Sequence, residues 1–164
     1  MKEVIKFDSL LNCIGKLDTE EGFEKFDEIY DAIKDGSSIF KMEDIKELCL
    51  ILRKPSENME PHQFIKIEKM TYLTINEYGI EGGFKELLEG LMLLVDYNPI
   101  ETQGYLNMLM NSYSDEEISI FSKIAQSYPS KFKEKISKLI IDLMESKPQV
   151  YENKVKAVLD KINV

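Results

Sequence analysis

The sequence predicts an all-α protein of about nine antiparallel helices, stacked as helical hairpins into a compact bundle or a short α-α solenoid. Three observations carry this reading. Apolar residues recur at intervals of three and four nearly throughout, sustained strict alternation is absent, and Gly, Pro and capping residues cut the pattern into short segments. At 164 residues, the chain suits one domain over 1–164 with a core that needs neither disulfide nor metal.

The elements follow in order. Val4, Phe7, Leu10, Leu11 and Ile14 mark a first helix that stops at Gly15. Asp18 and Glu21 have capping-box spacing, and Phe23, Phe26, Tyr30 and Ile33 carry a second helix to Gly36. Met42, Ile45, Leu48, Cys49 and Leu52 give a third, broken by Pro55 in the best loop candidate, residues 53–58. Pro61 suits the first turn of a fourth helix, with Phe64, Ile67, Met70 and Thr71 inward and Gly79 at its end. The run Tyr72-Leu73-Thr74-Ile75 has strand-like residues, but the helical spacing around it assigns it to that helix.

Phe84, Leu87, Leu88, Leu91, Leu94 and Val95 form the clearest apolar stripe, a fifth helix. Asn98-Pro99 ends it and opens a sixth with Tyr105, Leu106, Leu109 and Met110. Ser114 and Glu117 make a second capping box ahead of Ile118, Phe121, Ile124, Ala125 and Tyr128. Pro129 introduces the eighth helix (Phe132, Ile136, Leu139, Ile140, Leu143), and Pro148 the last (Tyr151, Val155, Val158, Leu159, Ile162). Spacings from the fourth helix to the sixth and the sixth to the eighth approach those of helical-hairpin repeats, without self-similarity in sequence.

Bulk composition excludes several functions. A net charge of -9 opposes binding to nucleic acid, which depends on Lys and Arg at phosphates, and opposes anionic membrane surfaces equally. No apolar run approaches the roughly 20 residues a membrane span needs, and the charge-alternating start lacks the apolar stretch of a signal peptide. The expected location is the cytoplasm. Cys13 and Cys49 sit in apolar helical settings and read as buried free thiols. With one histidine and two separate cysteines, a zinc site lacks ligands, so neither metal nor cofactor is expected.

Catalytic raw material is equally thin. His62 is the lone histidine and Arg53 the lone arginine. Helical ribonucleases of the HEPN type hold such a pair on one helix; here eight residues intervene, including Pro55 and Pro61, which separates the two helices. Gly79, Gly82 and Gly83 lack the Lys-Ser/Thr ending of a phosphate loop. Paired carboxylates are numerous because thirty acids guarantee neighbours, and they read as solvated helix faces. The expectation is a protein that is not an enzyme. The eight methionines read as fillers of gaps in a helical core.

Charge distribution says more than its total. Residues 18–47 carry eleven acids against four lysines, and residues 76–117 carry nine acids against Lys85 alone. The second block interleaves tyrosines with carboxylates. Aromatics supply contact area and carboxylates supply partner choice, so this block is the candidate surface for a basic protein. The residues expected to line it are Glu81, Glu86, Glu89, Asp96, Tyr97, Glu101, Tyr113, Asp115 and Glu116. The bland alternative is that the tyrosines pack and the acids solubilise.

Three stretches resemble the immunity protein 30 family of bacterial polymorphic toxin systems. They are residues 26–33 (Phe-Asp-Glu-Ile-Tyr-Asp-Ala-Ile), the helix and turn from Phe64 to Tyr78, and the segment from Phe84 through Asn98-Pro99 to Ser112. The last is a leucine-rich helix, a turn, and a second helix ending Met108-Leu109-Met110-Asn111-Ser112. That resemblance implies a cytoplasmic protein that binds and neutralises a cognate toxin domain, many such domains being basic nucleases, without chemistry of its own; the expected state is a monomer or weak homodimer. The competing expectation is a helical-repeat adaptor of a housekeeping complex.

Overall fold

The structure, a computed structural model, describes residues 1–163. Nine helices stand among them: α1 (Phe7–Ile14), α2 (Glu20–Lys34), α3 (Asp44–Ile51), α4 (Pro61–Tyr78), α5 (Ile80–Leu94), α6 (Pro99–Ser112), α7 (Asp115–Ala125), α8 (Ser130–Ser146) and α9 (Pro148–Ile162). The all-α fold read from the apolar periodicity is the fold of the chain.

Two short strands depart from that reading. β1 (Glu3–Val4) pairs in parallel with β2 (Ser38–Ile39), and Ile5 N donates to Ile39 O at 2.8 Å. Val4 therefore belongs to a strand, and the first helix begins at Phe7. Two-residue strands contain no alternation to read, and the three-residue step from Val4 to Phe7 fits a helix equally well.

Caps explain most of the boundaries. The expected Asp18–Glu21 box is replaced by Thr19, whose hydroxyl accepts from Gly22 N at 3.1 Å, one residue later than the spacing suggested. Glu60 and Gln63 form a capping box at α4, with Pro61 at the first helical position. Ser114 and Glu117 form the box expected at α7. Asn98 caps α6 through Glu101 N, and its amide also donates to Leu52 O at 2.9 Å, tying that turn to the end of α3. Gly79 alone joins α4 to α5 at φ +100°, a backbone conformation that costs an L side chain strain.

Packing follows a simple rule: from α2 onward each helix lies against the one two places along. Helices α2, α4, α6 and α8 form one layer, and α3, α5, α7 and α9 the other, with α1 against α2. Side chains fix the register within each layer. In the first, Lys66 of α4 reaches Asp27 of α2, and Thr71 of α4 meets the Tyr105 hydroxyl of α6. In the second, Phe84 of α5 meets Phe121 of α7 edge to face at 5.6 Å between centroids. Gly90 of α5 lies so near α3 that a Cβ there would fall 2.7 Å from the Cys49 Cβ. The stacking is thus solenoid-like, with Tyr105, Phe26, Phe40, Phe84 and Phe121 among the largest side chains sealed between the layers.

Cys13 and Cys49 are both buried free thiols; burial pushes the Cys49 thiol up to about 12. No helix among the described residues is long and apolar enough to cross a membrane.

Candidate functional site

The nine residues picked from the acidic block fall in five different places. Glu81, Glu86 and Glu89 share α5; Glu86 and Glu89, three residues apart, are neighbours on one side of it, while Glu81, five residues before Glu86, does not stand beside it. Glu81 is exposed and pairs with Lys85 at 3.6 Å. Glu86 is half-buried, and this burial raises its pKa above the ordinary range; Lys46 opposes the shift, while Glu89 and Glu43 add to it. Glu89 accepts a hydrogen bond from the Tyr128 hydroxyl at 2.9 Å. Asp115 and Glu116 are exposed in the first turn of α7, where the helix dipole favours negative charge.

Asp96 and Tyr97 sit in the turn between α5 and α6. Asp96 pairs with Lys135 of α8, and that hydrogen bond holds its carboxyl below the usual range. Tyr97 is 63% exposed, yet one face of its ring is covered by Arg53, 3.6 Å away. Glu101 lies in the other layer, on the first turn of α6. Tyr113 is a correction. It is 3% exposed and packed edge to face against Tyr72 and Phe84, so it belongs to the core and offers no ring to a partner. Its place among the acids of the block suggested an interface tyrosine; Lys154 of α9 donates to Met110 O and Tyr113 O at the end of α6 and ties this turn to α9.

Beside Glu86 and Glu89 the surface is concave. A groove of about 510 Å³ runs between α5, α7 and the turn into α8, lined by Lys85, Glu86, Glu89, Met92, Ile124, Ser127, Tyr128 and Pro129. Ile124 and Tyr128 were assigned to packing by periodicity and Met92 as a core-filling methionine, and each is half-buried, with one side on the core.

One acid that the sequence reading overlooked is Glu68. It projects from α4 on the stripe of Phe64, Thr71 and Ile75, so a carboxylate on an otherwise apolar face was a legible signal. Burial, and then the neighbouring Glu101, push its pKa up to about 7. Burial also raises Glu101. Gly104 closes over the Glu68 carboxyl, since a Cβ there would collide with Oε1. No ion pair among the described residues includes either acid.

The residues weighed for chemistry have structural partners. Arg53 stacks on Tyr97, whereas His62 lies 3.4 Å from Glu60 and edge to face with Phe23. Of the clustered glycines, Gly79 makes the turn, and Gly82 and Gly83 press on Met42 and Ile75. Among the described residues there is no group of three or more His, Cys, Asp or Glu placed to hold a metal ion.

No family model, curated protein or solved structure matches the chain.

Proposed function

We propose that this chain is an immunity protein: a stoichiometric inhibitor that binds a basic toxin domain and carries out no reaction. The observation that carries the reading is the outer side of α5, where Glu86 and Glu89 line a half-apolar groove in a chain of net charge -9. Opposite charge steers encounter, and a desolvated apolar centre sets residence time. The resemblance of the α4–α6 segment to the immunity protein 30 family points the same way. Inhibition of this kind proceeds by occluding the toxin's active cleft or by binding beside it.

A helical-repeat adaptor is the second reading, favoured by the layered stacking of each helix on the one two places along, which is how repeat scaffolds build partner surfaces. Affinity capture of the tagged chain from its native cells, at low and moderate salt, separates the two. The immunity reading expects a basic C-terminal fragment of a large secreted protein, toxic when expressed alone and harmless when co-expressed with this chain. Recovery of a recurring housekeeping subunit, with no toxic partner, overturns it in favour of the adaptor.

A further inference from the structure

We infer that the groove between α5, α7 and the α7–α8 turn is the docking site for an arginine-bearing, apolar-flanked segment of a basic protein partner. This rests on the reading of the chain as a binder of a basic protein and assigns that reading a specific place.

Charge and shape both select this occupant. Met92, Ile124, Tyr128 and Pro129 give the groove an apolar lining, and its volume lies within the roughly 300–1,000 Å³ typical of binding clefts. Methionine adapts to varied partner surfaces. Along the α5 edge stand Glu86 and Glu89, and neither takes part in any ion pair among the described residues. Lys85, the one cation lining the groove among the described residues, is paired with Glu81. Tyr128 fixes one Glu89 oxygen from inside the groove and leaves the remaining acceptor positions open, since an ionised carboxylate accepts at about four sites. A guanidinium matches such an acceptor with two parallel hydrogen bonds, while an adjoining leucine-type side chain covers Met92 and Ile124. An acidic or purely polar segment would strand both carboxylates against like charge or leave the apolar lining wet.

The test uses the full chain, labelled at methionine and isoleucine methyls, titrated with a capped octapeptide of interspersed arginines and leucines. Its glutamate-for-arginine counterpart is the control. The docking site predicts saturable shifts centred on the Met92 and Ile124 methyls. It predicts at least a tenfold loss of affinity in E86Q/E89Q, several-fold in Y128F, and no change in E134Q/E145Q on α8. Folding of each variant is checked by its thermal transition. If the peptide binds but shifts other methyls, or E86Q/E89Q binds as well as the native chain, the groove is the wrong place while the basic-partner reading stands. If nothing shifts up to millimolar peptide in low salt, the docking site is overturned. The partner-capture experiment then decides the function by itself.

Discussion

The guanidinium carbon of Arg53 lies 3.6 Å from the centre of the Tyr97 ring. That single contact joins the end of α3 to the turn between α5 and α6, directly beside the bond from the Asn98 amide to Leu52 O. It also gives the chain's one arginine an aromatic partner and half-covers a tyrosine that the sequence suggested for a partner. An exposed cation–π contact contributes about 0.5–1 kcal/mol. A double-mutant cycle of R53A and Y97A, measured by denaturant unfolding, should return a coupling energy of about that size. R53K keeps the charge but loses the flat stacking surface, and should recover less than half of it. Additive single mutants would show that the stack contributes nothing.

Tyr113 gives the sharpest separation between a packed tyrosine and an interface tyrosine. Its hydroxyl is buried with no hydrogen-bond partner, and that burial drives its pKa far above the ordinary phenol value. Removing an unsatisfied buried hydroxyl relieves a desolvation cost, so Y113F should be neutral or more stable by up to about 1 kcal/mol. Y113A opens a cavity beneath Tyr72 and Phe84 and should lose about 3–5 kcal/mol. A Y113A protein that melts like the native one would return this residue to the surface.

Helices were legible because each carries its own period, cap and stop. Pro61, Asn98-Pro99, Ser114 with Glu117, Pro129 and Pro148 all stand at helix starts in the structure. Stacked hairpins were legible but the choice between a compact bundle and a solenoid was not, because the contact of each helix with the second one along depends on register, and register is written in pairs such as Cys49 with Gly90 that no local pattern links. The candidate surface was legible only in part. A block of acids contiguous in sequence is wound around a helix, across a turn and onto the next helix, so it scatters over both layers. Glu86 and Glu89 stay together because they share one helix side, while Glu81, Glu101 and Tyr113 do not join them at the groove. The groove that gives the α5 acids their shape comes from Ile124 and Tyr128, outside the block.

Close approach at Gly90 makes a test of the layer itself. Alanine is the better helix former by about 1 kcal/mol, so on an exposed helix G90A would stabilise. Here the added methyl would meet the Cys49 Cβ at 2.7 Å, its sulfur at 2.8 Å and Lys46 O at 3.3 Å. None of these is the free end of a flexible chain, so α3 and α5 must move apart, at a cost of about 1–3 kcal/mol. The net expectation is a lower Tm for G90A, with C49A/G90A regaining part of the loss by removing the sulfur. A G90A protein more stable than the native chain would mean that α3 and α5 are not packed this closely.

Glu68 links the same architecture to pH. In the folded chain its carboxyl holds a proton up to about pH 7, against an ordinary value of 4.5, because burial and then Glu101 disfavour its charge. Between those two values the folded state binds more protons than the unfolded state. Stability contributed by this group is therefore fully present below the unfolded value and is lost as pH rises through the folded one. Burial raises Glu86 and Glu101 as well, so the native profile should fall over the mildly acid range by more than Glu68 alone supplies. Comparison with E68Q isolates the Glu68 share, because glutamine keeps the shape and never ionises. The two proteins should unfold at similar denaturant concentrations near pH 4.5 and diverge as pH rises, with E68Q the more stable at pH 8. Part of that gain comes from Glu101, which loses a like-charged neighbour; E68Q/E101Q measures this by how far it departs from additivity. Parallel profiles for the native chain and E68Q across this range would place Glu68 in water, outside the seam between α4 and α6.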